Sequence, residues 1–268
     1  MSDPVLVAVG GCRASIRADD LVFTRADGVF ETLLVRAGRP CLLDAHLARL
    51  HASAVLAGLP GPSEANWRAA VADALAQWDA AEESALRLVL GYDSVAFVMV
   101  SPVPVRVQTA RVSGLSAVTL PRPHFPLAAA KSLSYAANSA AVRHAQRLGC
   151  DDAIFVDVDG AVLEGTRSAV VIAVTDDDSK PVLLTPDSVQ ILPSTTLEAL
   201  FATASSRGVD CRYRRLDVTD IRAAQGVWLL SSMTLAARVH TLDGVALAPA
   251  PLDLWLPALA EDAVCGRS

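Results

Sequence analysis

The chain carries 23 lysines and arginines, and only two of them, Lys131 and Lys180, are lysines. Lys180 stands in DDDSKP, a polar turn where a solvated amine needs no special role. Lys131 stands in LAAAKSLSYAANSAAVRHA, residues 127–145, behind three alanines and ahead of a helix-forming run. Arginine keeps its proton inside proteins, whereas a desolvated lysine releases it. The free amine then acts as a base or condenses with a carbonyl to give a Schiff base. The plain alternative is a lysine at a helix start whose amine reaches water along its apolar stem.

A Schiff-base lysine working with pyridoxal 5'-phosphate needs further groups. A carboxylate must hold the proton of the pyridine nitrogen, because the protonated ring is the better electron sink. The phosphate needs a helix N-terminus or free backbone N–H groups, and an arginine. Glu164 stands at a strand end in VLEG, among apolar residues. Ser194, Thr195 and Thr196 open a helix, Ser231 and Ser232 close a strand, and Arg49 lies on a helix flank. Taken singly, each has an ordinary reading: an exposed carboxylate, a helix cap, a surface arginine.

The elements that must position these residues follow from pattern. Residues 3–9 and 29–36 read as strands, and Asp44 as the N-cap of a helix that stops at Gly58. On that helix His46, Arg49 and Ser53 form a polar stripe beside the apolar face of Leu47, Leu50, Ala54 and Val55. A second helix starts at Ser63, and strands follow at 85–90 and 95–100. SPVPV reads as a connection between domains. Beyond it lie strand 115–120, the loop PRPHFP, and the Lys131 stretch as the start of a helix ending at Gly149. A hairpin over 153–164 turns at Asp159-Gly160, for which a type I′ turn is expected. Strands SAVVIAV and PVLLT precede the helix of LPSTTLEALFATASSRG, where Thr195 and Glu198 match a capping box. Strand 227–231 then leads into SMTLAARV and an Asp243-Gly244 turn. These elements predict a mixed α+β and α/β chain of two domains, residues 1–104 and 112–268, joined by 105–111.

Composition narrows the function classes. With 52% hydrophobic and 19% charged residues the chain can bury a sizeable core. A net charge of −6, with no basic block, excludes nucleic acid as a natural partner. No apolar run reaches the ~18 residues needed to span a bilayer, and the N-terminus does not read as a signal peptide, so a cytoplasmic protein is expected. Five cysteines without a C-x-x-C pair argue against disulfides and structural zinc, and five histidines without metal-site spacing predict no metal.

The arrangement resembles the fold type IV pyridoxal-phosphate enzymes: branched-chain aminotransferases, D-amino-acid aminotransferases and aminodeoxychorismate lyases. RADGVFETLLVRAGRPCLLDAHLARL is similar to the family's N-terminal signature, and KSLSYAAN to the segment of its Schiff-base lysine. The step from Lys131 to Glu164 is 33 residues (164 − 131), as in the family. LPSTTLEAL resembles its phosphate turn, and LLSSMTLAARVHTLDG its C-terminal phosphate loop. The five motifs keep the family order across nearly the whole chain.

The resemblance implies a small α+β domain and a larger barrel-like one, with pyridoxal 5'-phosphate as cofactor, a small amino substrate, and a homodimer. It implies that Lys131 forms the Schiff base and shuttles protons, and that Glu164 holds the pyridinium proton. Arg49, Thr195, Thr196, Ser232 and the backbone of Met233 would hold the phosphate, and Tyr135 would lie near the phenolic oxygen. Ala26, Ala169 and Ser194 depart from the family pattern, and LGYDSVAF is a short loop beside the substrate. Within the family, KSLSYAAN and the C-terminal loop resemble aminodeoxychorismate lyases most. The activity implied is elimination of pyruvate from 4-amino-4-deoxychorismate to give p-aminobenzoate, a step of folate synthesis. D-amino-acid or branched-chain transamination is the alternative, and a cofactor-binding protein without turnover is a third reading. Arg87, on a strand, is a candidate for the substrate carboxylate, against an ordinary surface arginine.

Overall fold

The computed structural model describes residues 3–79, 83–122, 124–249, 252 and 255–266. The chain divides into two compact units, Met1–Pro104 with Leu127–Tyr135, and Val105–Pro126 with Ala136–Ser268. Two sequence-based boundaries shift accordingly. Residues 105–111 are not a connection but most of a helix of the second unit. The segment holding Lys131 groups with the first unit rather than the larger one.

The first unit contains β1 (Val5–Ala8), α1 (Leu21–Thr24), β2 (Gly28–Arg36), β3 (Arg39–Pro40), α2 (Leu43–Leu56), α3 (Glu64–Ala76), β4 (Ser84–Gly91) and β5 (Val95–Pro102). Its five strands form a sheet in the order β1-β5-β4-β2-β3, with the pairings antiparallel. Strand side chains alternate between faces, and here the alternation separates two chemistries. Val29, Leu33 and Val35 of β2 and Leu86, Leu88 and Leu90 of β4 join Leu47 and Leu50 of α2 and Trp67 and Val71 of α3 in one core. Each fully buried Leu of this layer contributes roughly 1.5–3 kcal/mol. Phe30, Val89 and Phe97 face the other way, where Leu133 and Tyr135 pack on them. Glu31 interrupts the apolar run on the helix face.

Because β3 pairs only with Val35 and Arg36, it leaves the beginning of β2 without a neighbour on that side. The lysine segment occupies this edge. Phe30 N donates to Lys131 O at 2.9 Å, Leu133 N donates to Gly28 O at 2.8 Å, and Ser132 bridges Val29. Lys131 therefore stands on an extended stretch and not at a helix start, the following helix beginning only at Ala136. At the other end of α2, Leu42 adopts a left-handed φ of 54°, which puts Asp44 inside the first turn instead of at the N-cap. Gly58, at φ 67°, follows the helix end as expected.

The second unit contains α4 (Val105–Ser113), β6 (Leu115–Pro121), α5 (Ala136–Arg147), β7 (Asp152–Val156), β8 (Val162–Gly165), β9 (Ala169–Thr175), β10 (Pro181–Pro186), α6 (Thr195–Ser206), β11 (Asp210–Arg214), α7 (Val218–Ala223), β12 (Gly226–Ser231), β13 (Leu235–Leu242), β14 (Val245–Ala246) and α8 (Trp255–Cys265). Its nine-stranded mixed sheet runs β11-β10-β9-β12-β13-β6-β7-β8, with β14 on β13. Strand β8 also packs against β9 and β10, so the sheet curls back on itself in the barrel-like manner expected of fold type IV. Its apolar lining includes Ile154, Ile172, Leu216, Leu229 and Val239.

Several local expectations change. Ser194, not Thr195, caps α6, accepting from Leu197 N at 3.2 Å, and this places Thr195 and Thr196 in the buried first turn. A reciprocal capping box is formed instead at the start of α7, by Asp217 and Asp220. The β7–β8 link spans residues 157–161 and has positive φ at Gly160 alone, so it is not a type I′ turn. Pro123 of the PRPHFP loop lies outside the described residues. Among the described residues, no helix is long and apolar enough to cross a membrane.

Candidate active site

In the first unit the site is built around the start of β2. With the Lys131 main chain tied to that edge, its Nζ donates to the Tyr135 hydroxyl at 3.2 Å and lies 4.8 Å from the centre of the Phe30 ring. The Phe30 and Tyr135 rings meet edge to face, with centroids 5.1 Å apart. Arg87, opposite Thr32 on β4, lays its guanidinium 4.2 Å from the same Phe30 ring. Burial lowers the Arg87 pKa and the Tyr135 phenol raises it. Among the described residues it has neither a hydrogen bond nor an ion pair. A half-buried guanidinium in that state is costly unless an anion is to be received.

On the helix face of the sheet, Glu31 is fully buried. Its Oε1 accepts from Arg49 Nε at 2.7 Å, and its Oε2 from Arg49 Nη2 at 2.8 Å. His46 Nδ1, also fully buried, lies 2.7 Å from the same Oε2. Burial alone would raise the Glu31 pKa. The Arg49 charge, with the Arg49 and His46 hydrogen bonds, outweighs it and brings the value down to about 2. Burial lowers the His46 pKa despite Glu31. At neutral pH, then, the trio is an ion pair with a neutral imidazole donating to it. One helical turn beyond Arg49, Ser53 Oγ accepts from Lys131 N at 3.0 Å.

In the second unit, Glu164 closes β8. Its Oε1 accepts from Arg122 Nη1 at 2.6 Å, and its Oε2 from Leu192 N at 3.4 Å. Arg122 also donates to Gln190 O and lies 5.2 Å from the Phe155 ring. Glu164 is thus a charge-paired carboxylate, 14% exposed, rather than an exposed strand end. Thr195 and Thr196 lie at the N-terminus of α6, 5% and 1% exposed, where the helix dipole favours anions. Ser232 and Met233 form the turn between β12 and β13. Thr234 N donates to Ser231 Oγ at 3.0 Å, and the two hydroxyls lie 2.6 Å apart. Arg111 of α4 donates through Nε at 3.0 Å and Nη2 at 2.5 Å to Met233 O.

The structure therefore groups Lys131, Tyr135 and Arg49 in one unit, and Glu164, Thr195, Thr196, Ser232 and Met233 in the other. Sequence reasoning saw His46 and Ser53 only as a polar stripe, and gave Glu31, Phe30, Arg111 and Arg122 no role. Glu31 carried a readable signal, a charge at an inward position of an otherwise apolar strand. Each unit holds groups of the type a phosphorylated aldehyde cofactor needs: a lysine amine on a fixed main chain and an oriented arginine in the first, a charge-paired carboxylate and a helix N-terminus in the second.

The fold of the two units, with a lysine fixed on a strand edge, is that of an enzyme. The sequence matches the class IV amino-transferase family over residues 28–242, and the chain belongs to that family. It is 51% identical over 269 residues to a Mycobacterium tuberculosis protein named bifunctional aminodeoxychorismate lyase / D-amino acid transaminase, covering 93% of each chain. Solved structures of a hypothetical aminotransferase from M. tuberculosis include a PLP-bound form, 49% identical with a TM-score of 0.90, covering 97% of this chain and 98% of that one. Another is an alpha-ketoglutarate and PMP bound form, 48% identical with a TM-score of 0.90 and the same coverage. A fold IV-transaminase from Curtobacterium pusillum is 35% identical, with a TM-score of 0.85, covering 96% and 97%.

Proposed function

We propose that this chain is a 4-amino-4-deoxychorismate lyase that also transaminates D-amino acids at the same site. The cofactor is pyridoxal 5'-phosphate, which when bound supplies an electron sink next to the carbon losing its proton. The observation that carries the reading is the Lys131 amine, held between the Tyr135 hydroxyl and the Phe30 ring, with the Arg87 guanidinium on the same ring and in no ion pair among the described residues.

Each residue has a part in that chemistry. Lys131 would hold the cofactor at its aldehyde and, when the substrate amine displaces it, would take the proton from C4 of the substrate ring. The C–O bond to the enolpyruvyl group then breaks, the ring becomes aromatic as p-aminobenzoate, and the departing enol gains a proton to become pyruvate. Tyr135 orients the amine. Glu164, ion-paired with Arg122, would hold the proton of the pyridine nitrogen. Arg49, Thr195, Thr196, Ser232 and the Met233 backbone would hold the phosphate, and Arg87 would receive a substrate carboxylate. In transamination Lys131 would move the donor's α-proton, no leaving group would be expelled, and the amino group would pass by way of the cofactor to an α-keto acid.

The similarity to the M. tuberculosis protein named for both activities supports the dual activity. The family resemblance supports a homodimer, a cytoplasmic location and a place in folate synthesis. p-Aminobenzoate formation from authentic substrate tests the lyase, and conversion of D-alanine with α-ketoglutarate tests the transaminase. If one site serves both, D-alanine competitively slows p-aminobenzoate formation. The absence of both products would overturn the reading.

A further inference from the structure

We propose that Glu31 is a positioning residue for the cofactor phosphate, acting through Arg49, and that Ser53 does the corresponding work at the lysine end of the same helix. The proposal rests on the reading that Arg49 meets the phosphate.

Glu31 occupies an inward position of β2 between Val29 and Leu33, both fully buried and apolar. A carboxylate and an imidazole with no exposure are expensive there, and apolar side chains of similar volume would serve stability as well or better. What the arrangement produces is direction. Both Glu31 oxygens engage one edge of the Arg49 guanidinium, through Nε and Nη2. A planar group held along one edge has the azimuth of its other edge fixed. The neutral His46 closes the second side of the carboxylate, so Glu31 itself is fixed.

Ser53 lies four residues beyond Arg49, about 6 Å along the helix axis at 1.5 Å per residue. Its hydroxyl, fully buried, is 3.0 Å from the Lys131 main-chain nitrogen. One stripe of α2 therefore fixes both the arginine and the backbone of the lysine. The cofactor is a rigid ring carrying its phosphate arm and its aldehyde at set positions, so its two anchors must keep a set separation. Helix α2 acts as the ruler between them.

The test compares pyridoxal 5'-phosphate with pyridoxal, which lacks the phosphate, in absorbance titrations of the full-length apoprotein. Glu31→Gln is expected to weaken binding of the phosphorylated form about tenfold or more while changing pyridoxal binding less than about twofold. Ser53→Ala is expected to weaken both ligands by a similar factor. Glu31→Asp keeps the charge but retracts it by one methylene, and is expected to lose phosphate preference to a smaller degree. It serves if Glu31→Gln does not fold. Unchanged phosphate preference in the Glu31 variants, or equal weakening of both ligands, would overturn the proposal. Arg49→Gln separates the two levels. If it too leaves the preference intact, the assignment of Arg49 to the phosphate fails. If it abolishes the preference while the Glu31 variants do not, only the positioning proposal fails.

Discussion

Lys131 and Phe30 are joined twice. The Phe30 amide donates to the Lys131 carbonyl at 2.9 Å, and the Lys131 amine stands 4.8 Å from the Phe30 ring centre. The strand that carries the ring thus also carries the backbone of the reactive residue. Because β3 stops short, the edge of β2 is open where the lysine segment needs it. The amine's position follows from sheet pairing more than from its own side-chain contacts.

Gly28 is the tightest point of that pairing. A Cβ there would meet Leu133 Cδ1 at 2.7 Å and the Leu90 carbonyl at 2.7 Å. Leu133 belongs to the lysine segment, while the Leu90 carbonyl is backbone. Gly28→Ala is therefore expected to displace residues 131–133 and lower kcat at least tenfold, with unfolding destabilised by about 1–3 kcal/mol. Steady-state kinetics and urea unfolding check this. Wild-type kcat would contradict it.

Arg87 has the Phe30 ring beneath it and no anionic partner among the described residues. Arg87→Gln removes the charge and keeps much of the volume. The expected result is a rise in KM for carboxylate substrates of roughly 10- to 100-fold, the order of one charge-assisted contact, with cofactor affinity unchanged. Equal KM values for wild type and variant would return Arg87 to a purely structural role.

Arg122 sits 2.6 Å from Glu164. Arg122→Met removes the charged partner that fixes the Glu164 carboxylate. A Glu164 without that partner is less well placed to hold the pyridine nitrogen's proton, so kcat should fall about tenfold or more and the visible absorbance of the bound cofactor should shift. Unchanged kcat with unchanged absorbance would remove Arg122 from the account.

Acid stability follows from Glu31 and His46. Both have folded pKa values below their unfolded ones, Glu31 at about 2. Their contributions are present above the unfolded values, ~6.5 for His and ~4.3 for Glu, and are lost as pH falls toward the folded ones. Unfolding free energy should therefore decline below about pH 6.5 and more steeply below about pH 4.5. His46→Gln should flatten the upper part of that decline in urea titrations. An identical slope in the variant would exclude His46 as its source.

The legible parts of this protein were those written in local pattern. The strand and helix periods of the first 100 residues, the lone lysine, and Glu164 at a strand end follow from neighbouring residues alone. The Lys131 stretch looked helical because LAAAK has strong helix propensity, but pairing with β2 overrides it and defers α5 to Ala136. Arg122 and Glu164 are 42 residues apart in sequence, and Arg49 and Glu31 are 18, so nothing local announces either pair. SPVPV does mark a boundary, but the helix after it already belongs to the second unit. The cap of α6 moved by a single residue, from Thr195 to Ser194, and with it both threonines went from cap to buried first turn.

The most direct test of the central claim is p-aminobenzoate release from 4-amino-4-deoxychorismate by the cofactor-loaded protein, set beside Lys131→Ala. The wild type is expected to release p-aminobenzoate and to be inhibited by D-alanine, and the variant to release none above background. Release that persists undiminished in Lys131→Ala, or none from a wild type that binds the cofactor, would contradict the claim.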